Sequence, residues 1–337
     1  MSTLHQNSTP HTGNGNATGI STGTGTGTDA ESGSGTGGAP GGRTGSQWLR
    51  GPYWVAARMH RGTLQWAAGL TALCLVLLIA IRVWGGGVTG GYWTDTSMVE
   101  NAASLIMLLP YLIAAFVAGP LVARELESGS HQLLGTQSVS PVRWFAAKLA
   151  VPTALAVVAS VVLDGVYRWV WTAVPHQNPT LDWYPDSVYH AIGPTGIATA
   201  LLAVPVGALT GLLVRRTVPA IVTSLVASVV VFRLFDDVRA HLWPVVTVRT
   251  GLAEGYPAMN GMVTAEGAVT SSGAHVADPM CVDDTKCQAA HNLAGYFRSS
   301  HPVSHFWPLQ LVETGILLAL AAVLTLVVFR IVKRRAA

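Results

Sequence analysis

Residues 191–235 read AIGPTGIATALLAVPVGALTGLLVRRTVPAIVTSLVASVVVFRLF. This stretch holds two apolar runs, 191–214 and 217–235, which are separated only by Arg215 and Arg216. A helix needs about 20 apolar residues to cross roughly 30 Å of hydrocarbon. Each run is therefore long enough to span a bilayer. The short junction predicts a tight hairpin of two membrane helices with cationic anchors.

Four further apolar runs meet the same length criterion. They cover residues 64–84, 102–123, 149–171 and 309–329. Charged residues make up only 11% of the chain and its mean hydropathy is +0.42, whereas a soluble domain is about 25% charged. These values argue against a soluble globular enzyme. The sequence therefore predicts an all-α integral membrane protein with six transmembrane helices.

The first 47 residues have a different composition from the rest of the chain. Glycine, threonine and serine account for 29 of these 47 residues, and no aromatic residue occurs among them. Such a segment cannot bury enough apolar surface to offset the loss of chain entropy. We predict that residues 1–47 form a disordered tail and that residues 48–337 form one six-span domain.

The distribution of lysine and arginine predicts the orientation, because these residues concentrate in cytoplasmic loops. With the N-terminus inside, 13 of them lie in inner segments and 4 in outer segments, while the short outer loops 85–100 and 172–190 contain none. The prediction is an N-in, C-in, multi-pass protein. Its arginine-rich, lysine-poor usage is typical of an actinobacterial cell membrane protein. The net charge of +3 is too small to indicate a nucleic-acid partner.

A few charged residues interrupt the apolar runs. Most lie near the predicted outer ends of spans, and Asp164 and Arg168 have the i, i+4 spacing of a helical ion pair. One interpretation is that the arginines extend to the lipid headgroups. The other is that these charges line an outer vestibule of a transport path. The candidate vestibule residues are Arg82, Asp164, Arg168, Arg233 and Glu313.

The loop between the second and third runs carries two acids on the otherwise cationic inner face. Glu125 and Glu127 precede a short stretch, 131–137, that places Leu133 and Leu134 on one side of a predicted helix. A short amphipathic helix in this position suits a groove on a cytoplasmic partner. It equally suits the surface of the lipid, and the pattern alone leaves both alternatives open.

This loop resembles the corresponding loop of the type-2 permeases of ABC exporters. Residues that match the family pattern in order are Arg124, Glu125, Glu127, Gly129, Ser130, Leu133, Leu134, Pro141, Arg143 and Lys148. The resemblance covers about residues 50–335. It implies that the loop is a coupling helix that receives motion from a separate ATP-binding cassette subunit. It also implies a dimer, formed by two copies or by pairing with a similar permease.

Motifs for catalysis are missing from the sequence. A Walker A motif needs glycine directly before lysine, but Ala, Thr and Val precede the three lysines. The chain also has no His-Glu dipeptide, which a zinc protease of the HExxH type requires. We therefore expect no enzyme activity and no cofactor on this chain, with ATP and Mg²⁺ bound by the partner subunit.

The predicted outer loop, about residues 236–307, contains Cys281 and Cys287. Two cysteines in an extracytoplasmic loop favour a disulfide. Free thiols and a metal site with nearby histidines are the alternatives, although Cys-x-x-Cys spacing is missing. The glycine-rich stretch 251–275 is predicted to be mobile. By the family resemblance, residues 291–307 are expected to form short outer helices.

Two classes of function fit these observations. The first is the permease subunit of an ABC exporter for an unidentified, amphipathic substrate. The alternative is a membrane sensor or assembly scaffold that binds through the outer loop and transports nothing. An ion-coupled carrier is a weaker third idea, because it calls for an acid near the bilayer midplane, and the six runs supply none at their centres.

Overall fold

The computed structural model describes residues 58, 61–84, 92–128, 141–173, 179–281 and 284–336. The predicted tail, residues 1–47, lies outside the described residues. So do Gly129 and the predicted short helix 131–137, which contains Leu133 and Leu134.

In these ranges, six helices are long and apolar enough to cross a membrane. They are α1 (Arg61–Trp84), a second span made of α2 (Tyr92–Leu112), a π-helical turn (Ile113–Ala118) and α3 (Gly119–Glu127), then α4 (Pro141–Trp171), α6 (Pro194–Val214), α7 (Thr217–Arg239) and α9 (Phe306–Ala336). A short helix, α5 (Asp186–Ala191), precedes α6. The prediction of a mainly helical, six-span protein is confirmed. Several spans run past the apolar runs because flanking polar residues continue the helix.

Helix α6 is the centre of the bundle. In the apolar stretch of this helix 67% of the residues are buried. The helix packs against the second, third, fifth and sixth spans. Two glycines permit the closest of these contacts. A Cβ on Gly207 would lie 2.5 Å from the backbone oxygen of Ala114, and a Cβ on Gly211 would lie 2.5 Å from that of Gly119. Small residues allow membrane helices to approach this closely.

This contact predicts the effect of enlarging Gly207. Leucine at this position would press on the π-helical turn, and overpacking of this kind costs about 1–3 kcal/mol. The matched control is Gly69→Leu, because a Cβ on Gly69 meets nothing within 4 Å. Unfolding of the purified protein in detergent measures both variants. We expect the Gly207 variant to lose stability and the Gly69 variant to stay within about 0.5 kcal/mol of the wild type; equal losses would contradict the packing.

The loop before the last span folds into a small antiparallel sheet. Its strands are β1 (Val246–Gly251), β2 (Met262–Thr270), β3 (His275–Val276) and β4 (Leu293–His301), in the order β1-β4-β2-β3, with helix α8 (Thr285–Ala290) before β4. The sequence did not predict this sheet. The expected short helices over 291–307 are wrong where β4 lies. The stretch 251–275, expected to be mobile, contains the whole of β2. Strand β4 is central, paired with β1 on one side and β2 on the other.

The bundle has two distinct ends. We call the end formed by α5 and the sheet the sheet end. We call the opposite end, which contains the Arg215–Arg216 turn between α6 and α7, the hairpin end. The C-terminal part of α9 reaches the hairpin end, where Arg335 Nη1 donates a hydrogen bond to the Leu212 backbone oxygen over 3.1 Å. Helix α3 ends and helix α4 begins at the hairpin end, on either side of residues 129–140, which lie outside the described residues.

Candidate functional site

At the hairpin end, Glu125 joins the second span to the third. Its carboxylate on α3 forms an ion pair with Lys148 on α4. Its Oε1 also accepts a hydrogen bond from Trp144 Nε1 over 3.3 Å. Lys148 is buried, so this pair is better shielded from solvent than an ordinary surface ion pair. Glu125 thereby connects the two helices on either side of the loop 129–140.

The second acid, Glu127, joins the second span to the fifth. Its Oε2 accepts hydrogen bonds from the Thr217 backbone N–H, at 2.9 Å, and from the Thr217 hydroxyl. Thr217 is the first residue of α7. The first N–H groups of a helix have no partner within the helix, so Glu127 caps α7 from a neighbouring span.

The other predicted coupling residues flank the same loop. Arg124 on α3 and Arg143 on α4 are exposed, and Pro141 is the first residue of α4. The two acids, which break the cationic trend of this face, thus have partners within the chain. The arrangement is a brace: the two acids near the end of α3 fasten the second span to the third and to the fifth.

Two of the predicted vestibule residues, Arg82 and Arg168, contact an aromatic ring and a backbone oxygen. The Arg82 guanidinium lies over the Trp169 ring, 5.2 Å from its centroid. Arg168 Nη1 donates to the Ile192 backbone oxygen over 2.6 Å. In the described part of the chain Arg168 forms no ion pair with Asp164, so the predicted i, i+4 pair is wrong. Arg168 turns towards the backbone beyond α5 instead.

Glu313 belongs to a charged cluster, buried except for Asp186 at its edge, that the sequence did not predict. We call it the Arg239 cluster; its members are Asp186, His190, Asp236, Arg239 and Glu313. Arg239, at the end of α7, is 1% exposed, and Glu313, in α9, is 0% exposed. Arg239 Nε donates to Glu313 Oε2 over 2.9 Å, and two other donors reach Asp186 and Asp236, each over 2.7 Å. One guanidinium thus holds α5, α7 and α9 together.

His190 occupies an ambiguous position in this cluster. Its Nε2 lies 3.0 Å from Asp236 Oδ1 and also 3.0 Å from Arg239 Nη2. One ring nitrogen cannot donate to the carboxylate and accept from the guanidinium at once. The proton on His190 therefore decides which of the two contacts is a hydrogen bond.

Tyr189 and Gln310 surround the cluster with further buried contacts. Arg239 Cζ lies 4.0 Å from the Tyr189 ring centroid, a cation–π geometry. Burial, together with nearby Glu313, raises the pKa of the Tyr189 hydroxyl above its ordinary value, so the phenol stays neutral. Gln310 Nε2 donates to the Tyr189 backbone oxygen over 2.8 Å, while its Oε1 accepts from the Thr195 N–H over 3.0 Å.

Two groups of side chains have metal-ligating atoms close together. In the first, His190, Asp236 and Glu313, the donor atoms lie within 4.8 Å of one another, but Arg239 fills the space between them. In the second, two cysteines lie beside a histidine. The structure joins Cys281 to Cys287 as a disulfide with a Cα–Cα distance of 5.5 Å, and a disulfide lacks the thiolate that binds metal. The first group is therefore a set of ion pairs around Arg239, and the second contains a disulfide that closes a short loop before β4.

A family model described as ABC-2 membrane transporter related matches residues 87–239. The match begins before the second span and ends at Arg239, so it covers both the brace at the hairpin end and most of the Arg239 cluster. Comparison with curated proteins and with solved structures gives no match. The match over residues 87–239 supports the predicted resemblance to ABC-2 type permeases, and the six apolar helices indicate a multi-pass membrane protein.

Proposed function

We propose that this chain is the membrane-spanning subunit of an ABC exporter, driven by ATP hydrolysis on a separate subunit that docks at the hairpin end. In this proposal the hairpin end and both termini are cytoplasmic, and the sheet end faces outward. The observation that carries the proposal is the brace, in which Glu125 and Glu127 fasten the flanks of one short loop to α4 and α7.

The brace supports coupling because it converts a local push into a movement of several helices. The loop 129–140 is covalently continuous with the second and third spans, and Glu127 adds the fifth span. A partner that binds the loop differently in its ATP-bound and ATP-free states would shift the bundle between two arrangements. Transport needs such an alternation between access from one side and access from the other.

The Arg239 cluster supports a closing role for the opposite end. It joins helices α5, α7 and α9 where they meet the sheet, and it excludes solvent from Glu313 and Arg239. The transport path can open at the sheet end only if the ion pairs of the Arg239 cluster break, or if the helices that they join move as one unit. We propose that two copies, or one copy and a similar permease, enclose the path, and that the cargo is amphipathic.

The proposal predicts that the chain stimulates the ATPase activity of its own ATP-binding subunit. The two subunits are co-expressed, purified in mild detergent and assayed as a complex. We expect co-purification and a higher ATPase rate than that of the ATP-binding subunit alone. A sensor or scaffold would give a stable membrane protein with neither property, and that result would contradict the proposal.

A further inference from the structure

A small cavity lies between α2, α4, α5, α6 and α7, next to the Arg239 cluster. Its volume is about 20 Å³, which is enough for one water-sized occupant. The polar lining residues are Tyr111, Ser160, Asp164, His190 and Thr199, and the rest of the wall is apolar or glycine. A cavity of this size does not admit an amphipathic cargo, so its occupant is a different, smaller species.

The carboxylate of Asp164 lines this cavity. Asp164 is 6% exposed, and its buried Oδ2 has no hydrogen-bond partner among the described residues. Gly196 leaves room for the carboxylate, because a Cβ at that position would lie 3.1 Å from Oδ2. Burial of an ionised carboxylate without a partner is strongly unfavourable. Asp164 therefore needs a positive charge or a proton.

The neighbouring cations in the described residues are committed elsewhere. Arg239 uses its donors on the carboxylates of its own cluster, among them Asp236, whose side chain is 4% exposed, and Glu313. Arg168, one turn beyond Asp164, donates to a backbone oxygen. Of the buried carboxylates of Asp164, Asp236 and Glu313, Arg239 therefore contacts only the last two.

The remaining titratable groups around the cavity do not supply the charge. Helix α2 presents the Tyr111 phenol, α4 carries Tyr167 one turn away, and α5 presents His190, whose Nε2 faces Asp236. On α7 the exposed Arg233 lies 3.9 Å from Asp186. Helix α6 contributes hydroxyl oxygen: Thr199 Oγ1 donates its proton to the Thr195 backbone oxygen over 2.8 Å, which leaves its lone pairs available to an occupant.

We propose that this cavity binds one small cation, a sodium-sized metal ion or a proton, that neutralises Asp164 beside the Arg239 cluster. Carboxylate and hydroxyl oxygens are the ligands that hard cations prefer. Because His190 lines the cavity and also contacts Arg239 and Asp236, the occupant adds positive charge beside the ion pairs at the sheet end. The site does not depend on the proposed ATP coupling and is tested without ATP.

Cation binding to the folded chain raises its Tm, by linkage. The full-length chain is purified in detergent, and Tm is measured while Na⁺ replaces N-methylglucamine at constant ionic strength. A second series varies pH without Na⁺. For a hundredfold excess over the dissociation constant we expect Tm to rise by about 5 °C. Asp164→Asn should abolish the rise, whereas Asp237→Asn, which removes an exposed carboxylate, should keep it.

The two series identify the occupant. A rise with Na⁺ that Asp164→Asn abolishes assigns a metal cation. A rise only on acidification, again abolished by that variant, assigns a proton. An Asp164→Asn protein that follows the wild type in both series overturns the proposal. If that variant does not accumulate, carbodiimide labelling of Asp164 in the wild type decides: protection by Na⁺ or by alkaline pH supports the site, and labelling that neither condition changes contradicts it.

Discussion

Methionine in place of Arg239 is expected to lower the free energy of unfolding by about 3–5 kcal/mol, because removing one partner of a buried ion network leaves the other charges uncompensated. Arg239 donates to Glu313 over 2.9 Å and to Asp236 over 2.7 Å, and both carboxylates remain buried without it. Denaturant unfolding of the purified chain in detergent measures the loss.

The control is Arg233→Met, on the same helix. The Arg233 side chain is 63% exposed, and its nearest carboxylate oxygen, on Asp186, is 3.9 Å away. An exposed pair of this kind contributes about 0–1 kcal/mol, so this variant should stay close to the wild type. Equal losses in the two variants would show that Arg239 is not the hub of the cluster.

Lysine in place of Glu125 is expected to reduce stimulated ATPase activity of the complex by roughly tenfold or more, within the range of coupling free energies between sites. The substitution places two cations together, at 125 and at Lys148, where the wild type has an ion pair. Repulsion there should detach α3 from α4 and release one side of the brace. ATPase rates of the purified complex, with and without the substitution, provide the measurement.

The reciprocal exchange separates two explanations for that loss. In Glu125→Lys with Lys148→Glu the ion pair is restored with its polarity reversed. If Glu125 acts through the brace, the double variant regains most of the stimulation. A double variant as inactive as the single one would show that Glu125 acts by contacting the partner, and the brace would lose its role. Glu254→Lys, an exposed substitution at the sheet, controls for the change of charge.

The sequence predicts the membrane spans well because run length is a direct consequence of bilayer thickness. The hairpin at Arg215 and Arg216 follows for the same reason, because one continuous helix over both runs would be about twice as long as the hydrocarbon is thick. Span ends are less predictable. The third predicted run begins at 149, but α4 begins at Pro141, since polar residues such as Arg143 and Lys148 continue a helix beyond the hydrocarbon.

The sequence alone does not predict the Arg239 cluster. Arg239 follows the fifth apolar run, so counting charges by side places it in an exposed loop, yet it is buried against Glu313, 74 residues later. The one local signal is the i, i+3 spacing of Asp236 and Arg239. Partners distant in sequence become visible only when α5, α7 and α9 are seen side by side.

The sheet was missed for a different reason. Strand β1 reads VTVRTG, with β-branched residues that favour strands, but six residues within a glycine-rich loop are a weak signal. In β4 the deciding contact is long-range: a Cβ on Gly295 would lie 2.0 Å from the Thr250 backbone oxygen, so only glycine allows β1 and β4 to pair there.

The proposed coupling requires that an ATP-binding subunit binds the loop 129–140 on the cytoplasmic side. A photoreactive benzoylphenylalanine at position 133, in place of leucine, tests it in intact cells, and the same group at Val248, an exposed residue of β1, is the control. We expect position 133 to crosslink to a subunit whose peptides include a Walker A motif, and we expect position 248 not to do so. Docking on the loop would be contradicted if that subunit crosslinks from position 248, or if it does not crosslink from position 133.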